Sequence, residues 1–166
     1  MPIHIWSVLC ERGVLDSYSN QVTIMNVIEQ ATIKPDADMV KALAEGKKVM
    51  LPVKVQIVSL WERSEPEKPE RFQIRVVLTL PDGTEKPSAG TVDCDLVTHK
   101  GLRTFTSIGN LSYGGPGNYH YLVQQRRDEQ AEWITAASLP VHIIVESETK
   151  EAGGAAATRA TTGKRK

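Results

Sequence analysis

Aromatic side chains are scarce in this chain, at 5% of residues, so aliphatic side chains must build most of any core. Cysteine is scarcer still, with Cys10 and Cys94 alone, far apart and each within an apolar alternating run. That usage reads as two buried free thiols in preference to a disulfide, which is the alternative. No apolar run approaches the roughly 20 residues of a membrane helix. The opening MPIHIWSVLC lacks a basic flank, is too short for a signal sequence, and is followed by charge at Glu11 and Arg12. The expectation is a cytoplasmic chain without a membrane partner.

Net charge is missing too, since 20 basic side chains balance 20 acidic ones. The balance is uneven along the chain. Residues 151–166 hold four basic side chains (Arg159, Lys164, Arg165, Lys166) against Glu151, leaving 16 basic and 19 acidic before them, a net −3. An acid-leaning body lacks the basic face that releases counterions from a phosphate backbone, which argues against nucleic acid as a partner.

A length of 166 residues suits one domain with a proper core. The domain is read over residues 1–150. Residues 151–166, rich in Ala, Gly, Thr, Lys and Arg without apolar periodicity, read as a disordered basic tail.

Strand patterns dominate the domain. Residues 3–10 are apolar except for His4 and Ser7, and residues 21–28 are apolar on both sides, which predicts a central strand pair. Val49, Leu51, Val53, Val55 and Ile57 alternate, with Pro52 marking an edge or a bulge. Phe72, Ile74, Val76, Leu78 and Leu80 give the cleanest alternation. Val92, Cys94 and Leu96 follow, then an imperfect strand over 102–111 in which Gly109 marks a bulge. Residues 114–146 read as a closing antiparallel hairpin, with a glycine-rich entry, Tyr119, Tyr121 and Val123 on one strand, and Val141, Ile143 and Val145 on the other. The period changes once, at 35–46, where Asp36 or Asp38 can cap a short helix, Met39, Val40 and Leu43 fall at helical spacing, and Gly46 can stop it. The fold class is therefore all-β: an antiparallel β-sandwich of about eight strands with one short helix, or alternatively a closed β-barrel. Alternating strand directions would gather loops 12–20, 62–70, 98–101 and 127–131 at one charged end.

No framed chemistry accompanies this pattern. His4, His99, His120 and His142 lack the short-spaced partners of a zinc box, so no metal and no cofactor is expected. Asp93 and Asp95 share a strand face and read as solvated acids rather than a catalytic pair. Cys10 has no histidine placed to activate it, and no serine sits in a G-x-S-x-G elbow, so no catalytic residue is assigned. The loop through Gly114, Gly115 and Gly117 enters a strand instead of a helix and fails as a phosphate loop. Tyr113, Asn118 and Tyr119 at that end are the candidate binding residues, because tyrosine and asparagine give contact area and adaptable hydrogen bonds.

Residues 15–30, reading LDSYSNQVTIMNVIEQ, carry an Asp-containing turn followed by a Thr-Ile-x-Asn-Val-x-Glu strand. Gly117, Tyr119 and Val123, followed by Pro140 and Val141, form a second set of letters near the end. Together they resemble a bacterial family of small proteins of unknown function. The resemblance implies a compact β-sandwich-like fold and offers no functional residues. The functional expectation is a non-catalytic binding or assembly module, with a protein partner or self-association. Its alternatives are an enzyme whose residues are dispersed on loops, or a small-ligand-binding protein.

Overall fold

The computed structural model describes residues 1–146, so the basic tail at 151–166 and the last four residues of the expected domain lie outside the described part. Strands dominate, arranged in two sheets. The first sheet is built from β1 (Ile3–Leu15), β2 (Val22–Val27), β4 (Val49–Glu62) and β8 (Gly101–Tyr113) in the order β2-β1-β4-β8. The second runs β3 (Gln30–Ile33), β10 (Ile134–Val145), β9 (Gly117–Arg126), β5 (Arg71–Thr79) and β6 (Glu85–Pro87), with β7 (Val92–Asp95) also paired to β5. The sheets stay separate, so this is a sandwich and not a closed barrel. The described residues form ten strands rather than about eight. The additional pair, β3 and β6, are four and three residues long and hold too few large apolar residues to mark a face.

Every pairing is antiparallel except β3 with β10, which is parallel. The exception follows from the chain path, because β2 ends in the first sheet and the next residues cross to the edge of the second. Ile28 N still donates to Leu9 O at 2.9 Å, while His142 N already donates to Glu29 O at 2.9 Å.

The core lies between the facing sheets. Leu9, Ile57, Trp61, Ile108 and Leu111 come from one side, and Phe72, Ile74, Val76, Leu78, Tyr119, Tyr121, Val123, Val141 and Ile143 from the other. With few aromatic residues available, Trp61 and Phe72 meet across it at 5.3 Å between ring centroids. The hairpin of 114–146 closes the second sheet as β9 and β10, paired from Ile134↔Gln125 to Ile143↔Gly117.

A second apolar layer covers the outer face of the first sheet. Val58 alternates with the core-facing Ile57 and must point outward, yet it is 0% exposed, as is Cys10. The cover is β1 itself, which bends back across its own sheet beyond Cys10. Gly13 lies directly against the Val58 and Phe105 side chains, and its amide donates to Gln56 Oε1 at 2.8 Å. Arg103 Nη1 donates to Asn20 Oδ1 at 3.1 Å, tying the hairpin tip to β8.

Of the local expectations, the central position of β2 changes, while the helix and the bulge hold. β1 is central, but β2 is an edge strand, with Met25 and Val27 open to solvent. Apolar character on both of its sides therefore does not reflect a central position. The helix α1 (Ala37–Ala44) is capped by Asp36, whose Oδ1 accepts from Met39 N at 2.7 Å, and ends before Gly46 at φ +70°. Met39 and Leu43 pack on the core, whereas Val40 faces outward. The bulge signalled by Pro52 and Gly109 is real, with Val53 and Lys54 facing Gly109 between the pairs Pro52↔Asn110 and Val55↔Ile108.

Candidate functional site

Where β1 and β2 meet β9 and β10, the two sheets leave a groove of about 410 Å³. Val8, Leu9, Val27, Ile28, Leu139 and Pro140 form its apolar walls, and Ser7, Glu29, Asn118 and His142 supply polar groups. Its position follows from the topology. β3 joins β10 only from His142 onward, so β10 is paired on one side at Leu139 and Pro140. A proline is tolerated there because a sheet edge does not require its missing N–H.

Two hydrogen-bonded clusters flank the groove. On the second sheet, His142 Nδ1 lies 2.7 Å from Asn118 Oδ1 across the β9–β10 ladder. His120 Nδ1 makes a similar contact with Ser138 Oγ, at 3.1 Å. The two histidines thus have separate partners and do not converge. On the first sheet, His4 Nε2 lies 2.7 Å from Ser7 Oγ, which lies 2.7 Å from the buried Ser59 Oγ. The His4 ring rests edge-on against Trp61, 4.9 Å between centroids. Burial holds the His4 pKa below its usual value, with a backbone hydrogen bond at Trp6 opposing the shift. Burial thus favours the neutral imidazole over the charged one.

A bulge makes the His4–Ser7 contact possible. Residues three apart on a regular strand point to opposite faces. Here the register with β4 shifts between His4 and Trp6, leaving Ile5 as the extra residue, so both polar side chains reach the core side.

The sequence-derived binding residues separate in the structure. Asn118 is exposed and lines the groove. Tyr113 and Tyr119, at 4% and 0% exposure, lie in the core rather than on a loop surface. Tyr119 is a loop anchor: its hydroxyl donates to Gly115 O at 2.6 Å and accepts from Gly114 N at 3.0 Å. Burial raises the pKa of both tyrosines, and that of neighbouring Tyr121 to about 12. The groove residues Ser7, Val27, Ile28, Leu139, Pro140 and His142 were not singled out as a site from sequence. The available signal was a pair of polar interruptions, His4 and Ser7, in an otherwise apolar strand.

Other titratable groups are accounted for locally. Asp93 accepts from Gln73 Nε2 at 2.7 Å and Asp95 pairs with Arg71 Nε at 3.3 Å, so the two carboxylates are separately satisfied. Cys10 and Cys94 are free and buried. Burial, reinforced by the Asp93 charge, pushes the Cys94 thiol up to about 12, and burial also raises Cys10, against a backbone hydrogen bond at Arg12.

The charged loops do meet at one end. Lys100 Nζ lies 3.3 Å from Glu67 Oε1, and Ser64, Glu70 and Arg127 share one hollow. Nearby, Arg75 and Arg126 both lie over the Trp133 ring, 4.3 and 4.5 Å from its centroid, and pin the loop before β10 to the sheet. Among the described residues, no three His, Cys, Asp or Glu side chains are grouped to hold a metal ion, and no helix is long and apolar enough to cross a membrane. The chain matches no protein-family model, and no curated protein matches its sequence.

Proposed function

We propose that this chain is a non-catalytic binding module whose inter-sheet groove takes an apolar side chain presented by a protein partner. One observation carries this reading: apolar walls from both sheets converge with hydrogen-bonding groups at Ser7, Asn118 and His142. Binding sites commonly combine apolar lining with a few orienting polar groups in a volume of this order. Val27 stands at the lip at 58% exposure, where a partner would cover it. The buried free thiols support a reducing, cytoplasmic setting, and the acid-leaning body favours a protein over nucleic acid. Kinship with the bacterial family named above would add a fold and no site.

The test is NMR titration of the 15N-labelled chain with capped dipeptides bearing Leu, Ile or Phe. The expected result is perturbation of Val27, Ile28, Asn118 and Leu139, abolished in Val27→Glu, whose exposed position tolerates charge. No response at these residues, or an unchanged response in Val27→Glu, would sink the reading.

A second reading, an enzyme, is favoured by the His4–Ser7 distance, because a neutral histidine within hydrogen-bond reach can activate a serine. Labelling of Ser7 by a fluorophosphonate, lost in His4→Gln, would move the assignment to acyl transfer.

A further inference from the structure

Most sheet edges among the described residues are short or interrupted. β10 is unpaired on one side from Ile134 to Val141 but shifts register at Ala136 and carries Pro140. β1 has one neighbour from Ile3 to Val8 but bulges at Ile5. β3, β6 and β7 are four, three and four residues, and β2, of six, carries a left-handed Asn26 at φ +54°. Short or kinked edges are how β proteins avoid pairing with other chains. β8 differs. It is an edge strand of 13 residues, has no proline, and its one charged side chain is Arg103. From Leu102 to Ile108 it pairs with β4 in unbroken register, Trp61↔Leu102 through Val55↔Ile108, before the bulge at Gly109. Seven consecutive residues therefore offer an unbroken backbone edge.

We propose that this edge pairs with a second copy of the chain, β8 against β8 and antiparallel, joining two four-stranded sheets into one of eight strands. Residues 102–108 read Leu-Arg-Thr-Phe-Thr-Ser-Ile, which is symmetric in residue class about Phe105. A two-fold axis at Phe105 places that ring opposite its own copy. Thr104 then opposes Thr106, Arg103 opposes Ser107, and Leu102 opposes Ile108. A two-fold interface requires such self-complementarity, since each patch meets itself. Aromatic and threonine cross-strand pairs are favourable, and this register places no like charges directly opposite. A partner strand of unrelated sequence would not need the symmetry. The pairing uses neither the groove nor its ligand.

The register gives the experiment its sign. Ser107 is exposed, and Ser107→Lys sets a lysine against Arg103 twice per dimer, whereas Ser107→Glu sets two opposite charges there. Sedimentation velocity over a concentration series should show a wild-type monomer–dimer equilibrium. Dissociation constants of S107K and S107E should lie on either side of it and differ by about tenfold or more at low salt. Adding Arg103→Glu to S107K should restore dimerisation. Hydrogen exchange should show residues 102–108 losing protection on dilution. A wild-type chain monomeric throughout the series would overturn the proposal. So would a dimer indifferent to both Ser107 variants, which would place the contact elsewhere.

Discussion

Replacing Gly13 by alanine tests the second apolar layer, the least familiar feature of this sandwich. The backbone at Gly13 does not require glycine through a positive φ; the need is space. A Cβ there would stand 2.5 Å from Val58 Cγ2 and 3.0 Å from Phe105 Cε1. Val58 is fully buried and β-branched, so it cannot swing aside, and the bent half of β1 must lift instead. Overpacking of this kind costs about 1–3 kcal/mol. Alanine would recover about 0.4–1 kcal/mol by narrowing the unfolded ensemble. The expected net is a loss of about 1–2 kcal/mol, or roughly 2–8 °C in Tm for a domain of this size. Gly109→Ala is the control, because no atom lies within 4 Å of a Cβ there. Urea unfolding should lower the midpoint for G13A and leave it unchanged or slightly raised for G109A, with equal slopes. Cys10, beneath the same cover, should react faster with a thiol reagent in G13A, and Cys94 should not. A G13A chain as stable as G109A would refute the claim that β1 closes over its own sheet.

Two further outcomes follow from buried polar contacts. Tyr119→Phe removes a hydroxyl that satisfies both Gly114 N–H and Gly115 O, and should cost about 1–3 kcal/mol by thermal unfolding, with faster amide exchange confined to the 114–118 loop. A cost near zero would mean that water replaces the hydroxyl. For His4, burial lowers the folded pKa below the unfolded value near 6.5, so the unfolded state binds the proton more readily. This contribution is full above about pH 6.5 and is lost as pH falls towards the folded pKa. His4→Gln should flatten the stability profile in that window, and an unchanged slope would show that His4 does not contribute it.

Most strands that sequence revealed are six residues or longer, and the four-residue β7 was read because Leu96 carries the alternation of Val92 and Cys94 past the end of its ladder. β5 is the plainest case, with Phe72, Ile74, Val76 and Leu78 all buried. The helix was equally legible, since Asp36 and Gly46 act within one turn of their own position. β3 and β6 were not legible, because Gln-Ala-Thr-Ile and Glu-Lys-Pro hold too few large apolar residues to mark a face, and their partners define them. Tyr113, Asn118 and Tyr119 show the same division. Their chemistry suggested a surface, but alternation along β8 and β9 sends the tyrosines into the core and leaves Asn118 outside. The His4–Ser7 pair was hidden for a further reason: their spacing implies opposite faces unless a bulge lies between them.

Sequence by itself determined the class of this protein. Period-2 alternation, turn residues and a single capped helix are local properties. Tertiary structure alone decided which sheet each strand joins, that β2 and β8 are edges, and that β1 folds back over Val58. It also decided that Asn118 and His142 share a groove with Ser7. These outcomes depend on non-local pairing and on one extra residue at Ile5, whose effect on side-chain direction appears only when β4 lies alongside.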